Sequence, residues 1–387
     1  MKKTIQEIPH LSCTGCAACM NKCPVEAIMM EKDEEGFFYP QIDSQTCIDC
    51  GLCYQICPVN TPKESKVMDC IACYSKDDQI HRESSSGGVF ALLARSVLNR
   101  EGVVYGACLK PNGFVHHTRI DNLDDLQILQ GSKYLQSRMG STYKSVKSDL
   151  VLKRAVLFSG TPCQIAGLKS YLGCEHDELL CVEVVCHGVP SEDAFHKFLN
   201  DHFAEQNVRC ISFRKRMDDH DGQKIVFQSQ DHSMICENYK DNLFIKGFLK
   251  NYYTRLSCHN CLFKSDHSQA DLTIGDFWSV GEFHPEMDRS NGVSAVLIRN
   301  EKGWEAIQII EPELVWTSSS VEKASVWNES LIQSVPISNL RKSYFQKKDQ
   351  IRFDSLMNAL LEKDPDVRTG SRRSLFQRVL MRYKNKS

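Results

Sequence analysis

Two spacings of apolar residues alternate along most of the chain. Short runs rich in β-branched residues read as strands: "VMDCIACYSK", "GVVYGACL", residues 155–159, "ELLCVEVV", "VRCISFRKR", "KIVFQSQ", "ADLTIGDFW" and "VSAVLIRN". Between them, "SSSGGVFALLARSVLNREG", the segment after residue 160 and the segment after "CHGVPS" read as loops opening helices. Strands that alternate with helices predict an α/β core on a mixed sheet. The first 60 residues differ, with cysteine-rich loops around "AIMMEKDEEGFFYPQID", a strand–turn–strand pattern. The polar stretch "NTPKESKVMD" separates the two textures. The pattern therefore predicts an α+β / α/β protein: a small domain over 1–60, a linker over 61–69, a larger mixed-sheet α/β domain over 70–310, and a C-terminal extension over 311–387.

Composition narrows the class. The 387 residues suffice for about two or three domains. Hydrophobic residues make up 42% and charged residues 25%, as in an ordinary soluble globular chain. The formal net charge of -2 gives no electrostatic case for nucleic acid as the main partner. Two N-terminal lysines have no apolar run behind them, so no signal peptide is expected. No stretch approaches the roughly 18 apolar residues of a membrane span. The cytoplasm is the expected compartment, where 19 cysteines point to metal ligation or redox chemistry rather than disulfides. The last segment, "DPDVRTGSRRSLFQRVLMRYKNKS", is basic, with Leu375, Val379 and Leu380 near one helical face. It reads as a solvated helix; a weak contact with a membrane surface or a partner is the other reading.

Two cysteine runs share one spacing. "CTGCAACMNKCP" at 13–24 and "CIDCGLCYQICP" at 47–58 both read C-x-x-C-x-x-C-x-x-x-C-P. This is the bacterial ferredoxin spacing, in which three cysteines hold one [4Fe-4S] cluster and the fourth crosses to the other. Cys13, Cys16, Cys19 and Cys57 are expected to hold one cluster, and Cys47, Cys50, Cys53 and Cys23 the second. The small residues Gly15, Ala17, Ala18 and Gly51 let backbone N–H groups approach the cluster sulfurs. The fourth cysteine of each run is expected to start a helical turn. Zinc is the alternative, but it prefers paired C-x-x-C units.

Further candidates lie in the large domain. "SSSGG" at 84–88 precedes a helix and suits an anion, although capping by Ser86 explains part of it. "SGTPCQIAG" at 159–167 repeats the strand–turn–helix design and places Cys163 in the first turn, where the helix dipole favours a thiolate. Cys186 ends a strand, and Cys258 and Cys261 form "CHNC". If these points converge, Cys163, Cys186, Cys258 and Cys261 form a thiolate set for a third cluster, for a structural zinc, or for no ligand at all. Cys70 and Cys73 also spell C-x-x-C, but strand geometry points them to opposite faces. Cys108, Cys174, Cys181, Cys210 and Cys236 are given no role. His187 could donate a proton, or make a structural hydrogen bond. Lys133, Tyr134 and Gln136 sit at an expected helix start and could touch a phosphate or flavin ring, or cap and pack. Asp271 and Asp276 flank a strand end, where a carboxylate could bind a ribose hydroxyl or serve as a turn residue.

Taken in order, "SSSGGVF", "GSKYLQS", "LFSGTPCQIAGLK", "CHGVPS", "CHNC" and "LTIGDFW" resemble the coenzyme F-420 hydrogenase/dehydrogenase beta-subunit family, with a fused N-terminal 2x[4Fe-4S] ferredoxin domain. The resemblance spans roughly residues 1 to 310. It implies a flavin-binding large domain, FAD, and iron–sulfur clusters; related enzymes oxidise or reduce the deazaflavin or reduce chlorophyll precursors. It would place Ser86, Gly87 and Gly88 on the FAD site with Gly160 and Thr161 nearby, and it adds weight to the third cluster. Lys133 and Asp276 join them as cofactor-binding candidates, and His187 and Lys133 are the catalytic candidates. The implied activity is an iron–sulfur flavoprotein oxidoreductase. It would link a two-electron organic substrate or hydride carrier, through FAD and the clusters, to ferredoxin or another one-electron carrier. A non-catalytic electron-transfer subunit of a larger redox complex, or a structural metal protein, are the other readings.

Overall fold

The computed structural model describes residues 2–110, 113–203, 208–217, 222–229 and 231–365. The basic segment carrying Leu375, Val379 and Leu380 lies outside the described residues.

The N-terminal unit is built on one hairpin, β1 (Ile28–Lys32) and β2 (Phe38–Ile42), paired antiparallel with Ile28 opposite Ile42. Each cysteine run winds around a short helix, Ala18–Lys22 in the first and Leu52–Gln55 in the second. Both helices begin on a left-handed residue, Ala17 (φ 63°) and Gly51 (φ 73°), which turns the loop sharply enough to bring three cysteines to one side. The helical turn precedes the fourth cysteine: Cys23 caps the first helix, and Cys57 lies just past the second. This corrects the expectation that the fourth cysteine starts the turn, and it follows from the short loop having to reverse before reaching the other cluster.

The large unit is an eight-stranded mixed sheet, as the alternation of strands and helices implies. Its strands are β3 (Asp69–Ser75), β4 (Val103–Leu109), β5 (Val115–Ile120), β6 (Val156–Gly160), β7 (Leu179–Val184), β11 (Leu272–Asp276), β12 (Ser294–Ile298) and β13 (Leu314–Ser318). Their spatial order is β13-β3-β12-β11-β7-β6-β4-β5. The four central strands β11, β7, β6 and β4 run parallel, and the outer ones join them antiparallel. Parallel strands need covered faces. One face is covered by the helices Val89–Leu98 and Glu301–Ile310, which bury Leu92, Leu93, Ile307 and Ile310 against Leu157, Val182 and Leu272. On the other face, helices Thr142–Val151 and Pro162–Leu172 bury Tyr143, Val146 and Leu168 against Tyr105 and Phe158. Cys70 and Cys73 do point to opposite faces, into separate parts of the core.

Strands β8 (Arg209–Arg216), β9 (Gln223–Gln228) and β10 (Met234–Asn238) form a separate antiparallel sheet. It encloses an aromatic core with Phe195, Phe198, Phe227, Phe244, Tyr253, Tyr344 and Phe353. Residues beyond 310, where the pattern sets the end of the large domain, take part in both cores. Strand β13 pairs with β3, and helices Arg341–Lys347 and Phe353–Lys363 supply Tyr344, Phe353 and Leu356. Residues 131–137 contain no helix start, which corrects that expectation: the helix begins at Thr142.

Candidate functional site

The fold gathers the two cysteine runs as their spacing requires. Cys13, Cys16, Cys19 and Cys57 line one cavity. Cys23, Cys47, Cys50 and Cys53 line another. The fourth cysteine of each run has crossed to the other run's cage. Cys53 and Cys57 lie within electrostatic reach of each other, so the cages are neighbours.

A buried arginine that the sequence did not flag ties this unit to the large domain. Arg255 is 0% exposed. Its Nε donates to the main-chain oxygen of Cys13 (3.0 Å), Nη2 to that of Phe38 (3.0 Å), and Nη1 to Gln136 Oε1 (3.2 Å). Its guanidinium stacks 4.2 Å over the Tyr39 ring. Gln136 Nε2 donates in turn to the Thr14 oxygen at 2.9 Å, so Gln136 braces the first cysteine loop rather than facing a phosphate. At the hairpin turn, Arg341 grips both Glu35 oxygens and donates through Nε to Thr254 O.

Cys163, Cys186, Cys258 and Cys261 converge. Cys258 lies within electrostatic reach of the other three, and Cys163 within reach of Cys186 and Cys261. Gly188, at φ 148°, makes the approach possible: a Cβ there would stand 3.2 Å from Cys258 Cβ. The set also abuts the first cage. Cys163 lies within electrostatic reach of Cys16, and the hydroxyls of Thr14 and Thr161 both reach its sulfur. Burial pushes the Cys186 thiol up to about 11 and that of Cys261 up to about 12, and it raises Cys163 and Cys258 as well. Four thiols gathered in a dry site ionise only against a cationic group, so the donor set suits a thiolate-bound cluster; a four-cysteine zinc matches it by ligand type alone. Among the described residues no three His, Cys, Asp or Glu side chains are drawn together tightly enough for a single ion; these sets are recognised by spacing and shared surroundings.

On the far side of Cys186 opens a cleft of 320 Å³, a size that suits an organic ligand. It lies at the C-terminal ends of the parallel strands, where α/β sheets place their ligands. Ser159, Gly160 and Thr161 come from the end of β6, residues 184–189 from the end of β7, and Asp276 from the end of β11. Ser84, Ser85, Ser86 and Gly88 close one side at the start of helix Val89–Leu98. Gly88 is the N-cap and has no side chain to satisfy the first-turn N–H groups, which leaves them for an anion. Ser86 does not cap this helix as expected. Its hydroxyl donates to Val293 O at 3.1 Å, because the loop is held to β12 instead. Gly87 is wedged between β3 and β12 and has no room for a side chain: its Cβ would stand 2.3 Å from Cys73 O and 2.9 Å from Ser294 N.

The other candidates divide. Lys133, His187 and Asp276 all line the cleft. The Lys133 Nζ is turned onto the carbonyls of Leu129 (2.8 Å) and Gln130 (2.6 Å), and burial brings it down to about 7. His187 Nε2 donates to Asn251 Oδ1 at 2.9 Å, and burial brings it down to about 4, so the ring is neutral near pH 7. Asp276 accepts from Arg214 Nη1 at 2.6 Å. Tyr134 lies on the cleft wall beside Phe213, Tyr239 and Phe248. Asp271 stands apart from the cleft and accepts from the Cys181 N–H (2.6 Å) and Asn300 (2.8 Å). Arg214 and Trp278 also line the cleft, and sequence reading missed both. Arg214 arrives from the separate three-stranded sheet, which no local pattern reveals.

Residues 153–323 match the family model for the C terminus of the coenzyme F420 hydrogenase/dehydrogenase beta subunit. Residues 12–61 match the 4Fe-4S dicluster domain. The chain thus carries an F-420 hydrogenase/dehydrogenase beta-subunit region behind a dicluster iron–sulfur domain, as the motifs implied. No curated protein matches it. Among solved structures, it is similar to a chain of the F420-reducing [NiFe] hydrogenase complex from Methanosarcina barkeri, studied by xenon derivatization. The identity is 17% and the TM-score 0.46, over 78% of this chain and 93% of that one. Among the described residues no helix is long and apolar enough to cross a membrane.

Proposed function

We propose that the protein is an iron–sulfur flavoprotein oxidoreductase of the cytoplasm. It would exchange electrons between a two-electron organic substrate or hydride carrier, with the deazaflavin F-420 as one candidate, and a one-electron partner such as ferredoxin. One observation carries this reading: Cys186 belongs at once to the wall of the cleft and to the four-cysteine set that touches the first N-terminal cage. The order cleft, Cys163/Cys186/Cys258/Cys261, first cage, second cage makes a path for single electrons.

FAD bound in the cleft would accept or give two electrons at the substrate and pass them on one at a time. Ser84, Ser85 and the N–H groups after Gly88 would hold its phosphates. Arg214, oriented by Asp276, would place a positive charge on the opposite wall. Tyr134, Tyr239 and Phe248 would keep water from the ring. His187, oriented by Asn251, would face the ligand as an uncharged imidazole.

The test is flavin release from protein purified without oxygen. About one FAD per chain is expected, with loss of most of it in G88V, whose side chain would crowd the helix start. A chain that holds no flavin even after FAD is added would contradict the reading and leave an electron carrier.

A further inference from the structure

Three residues past Cys261 stands Lys264, only 9% exposed. Its Nζ donates to the main-chain oxygens of Cys186 (2.5 Å) and Ser330 (2.9 Å). Among the described residues it forms no ion pair within 4.0 Å. Buried Glu183 lies within its electrostatic reach, but that carboxylate is already held by Ser268 (2.7 Å) and Thr273 (2.6 Å) and lies 3.6 Å from Arg299. A buried ammonium that meets only neutral oxygens lacks the counter-charge such groups ordinarily have. Its Nζ is thus seated against the main chain of Cys186, one of the four gathered cysteines, and Lys264 itself follows Cys261 by three residues.

We propose that Lys264 is the counter-charge of a cluster held by Cys163, Cys186, Cys258 and Cys261, and that it raises the reduction potential of that cluster above what the cysteines alone would set. The proposal rests on the third-cluster reading given above. Four thiolates leave a four-iron cluster net negative, and reduction adds one further electron without making or breaking a bond. A fixed positive charge in a dry site therefore favours the reduced form. Lys264 is a positioning residue. It holds the Cys186 backbone by a hydrogen bond and biases the electron to rest beside the cleft.

The experiment is a redox titration of the full chain without oxygen, followed by EPR. K264Q keeps amide donors for the two carbonyls and loses the charge; K264M is the second uncharged variant should K264Q not fold; K264R keeps the charge. C261A identifies the third-cluster signal by removing it. In K264Q that one signal should titrate lower, with the reduced-to-oxidised ratio at the wild-type midpoint down about tenfold, or about 59 mV for one electron. The other two signals and the iron content should not move, and K264R should restore the position. An unmoved signal with about twelve irons would overturn the role of Lys264 and leave the cluster. About eight irons in the unaltered protein would overturn both.

Discussion

Arg255 donates its Nε to the main-chain oxygen of Cys13 at 3.0 Å, so a side chain of the large domain holds the first cysteine loop of the small one. The same guanidinium satisfies Phe38 O and Gln136 Oε1. Buried carbonyls left without donors are costly, and each charged hydrogen bond lost contributes roughly 1.5–3 kcal/mol. R255M should therefore destabilise the loaded protein by about 3 kcal/mol or more. Protease should then cut faster in the linker at 61–68. A denaturation midpoint equal to that of the parent would contradict the clamp.

The crossing of the fourth cysteines gives a pairing test. Cys57 lines the cavity of Cys13, Cys16 and Cys19, and Cys23 lines the other. C57A and C16A should abolish the same EPR signal, and C23A and C50A the other one. If C57A instead removed the signal that C50A removes, each run would hold its own cluster.

Gly167 sits inside the helix Pro162–Leu172, where alanine ordinarily stabilises by about 0.5–1 kcal/mol. Here a Cβ would stand 2.9 Å from the Tyr143 hydroxyl and 3.1 Å from Cys16 Sγ. The crowding outweighs the helix gain, because Cys16 is tied on both sides by its loop. G167A should lower iron content and shift the first-cage signal. A G167A protein of raised stability and full iron content would show that the loop yields.

His202 bridges Glu237 and Asp354, each at 2.9 Å, and so joins β10 to helix Phe353–Lys363. The hydrogen bond to Glu237, with that to Asp354, raises it from 6.5 to about 9. The folded value is the higher one. The stabilisation is therefore complete below pH 6.5 and is lost as pH rises through 9. Solvent screening reduces it to about 1 kcal/mol. H202Q should be less stable than the parent by that amount at pH 6, with the gap closed above pH 9, as read from urea midpoints. A gap that widened with pH would reverse the sign.

The parts of this molecule legible in its sequence are those whose chemistry is local. Ligand geometry fixes the spacing of Cys13 to Cys23 and of Cys47 to Cys57, and helix starts announce themselves in "SSSGG" and "GTPCQ". Strand β5 escapes the pattern because "VHHTRI" carries two histidines, and β10 because "MICEN" is short and polar. Strand β13 escapes it because its partner β3 lies more than 200 residues earlier. Arg255, Arg341, Lys264 and Arg214 carry no local signature, since each acts on a carbonyl or carboxylate brought up by another part of the fold. Ser86 has the right residue type and a different partner, because β12 competes for its hydroxyl.

The central claim is that Cys163, Cys186, Cys258 and Cys261 hold a cluster between the cleft and the N-terminal cages. Iron and acid-labile sulfide per chain, measured without oxygen in the parent and in C186A, test it most directly. About twelve irons falling to about eight, with the two N-terminal EPR signals intact, is the predicted result. About eight irons in both proteins, or one zinc lost from the parent in their place, would contradict it.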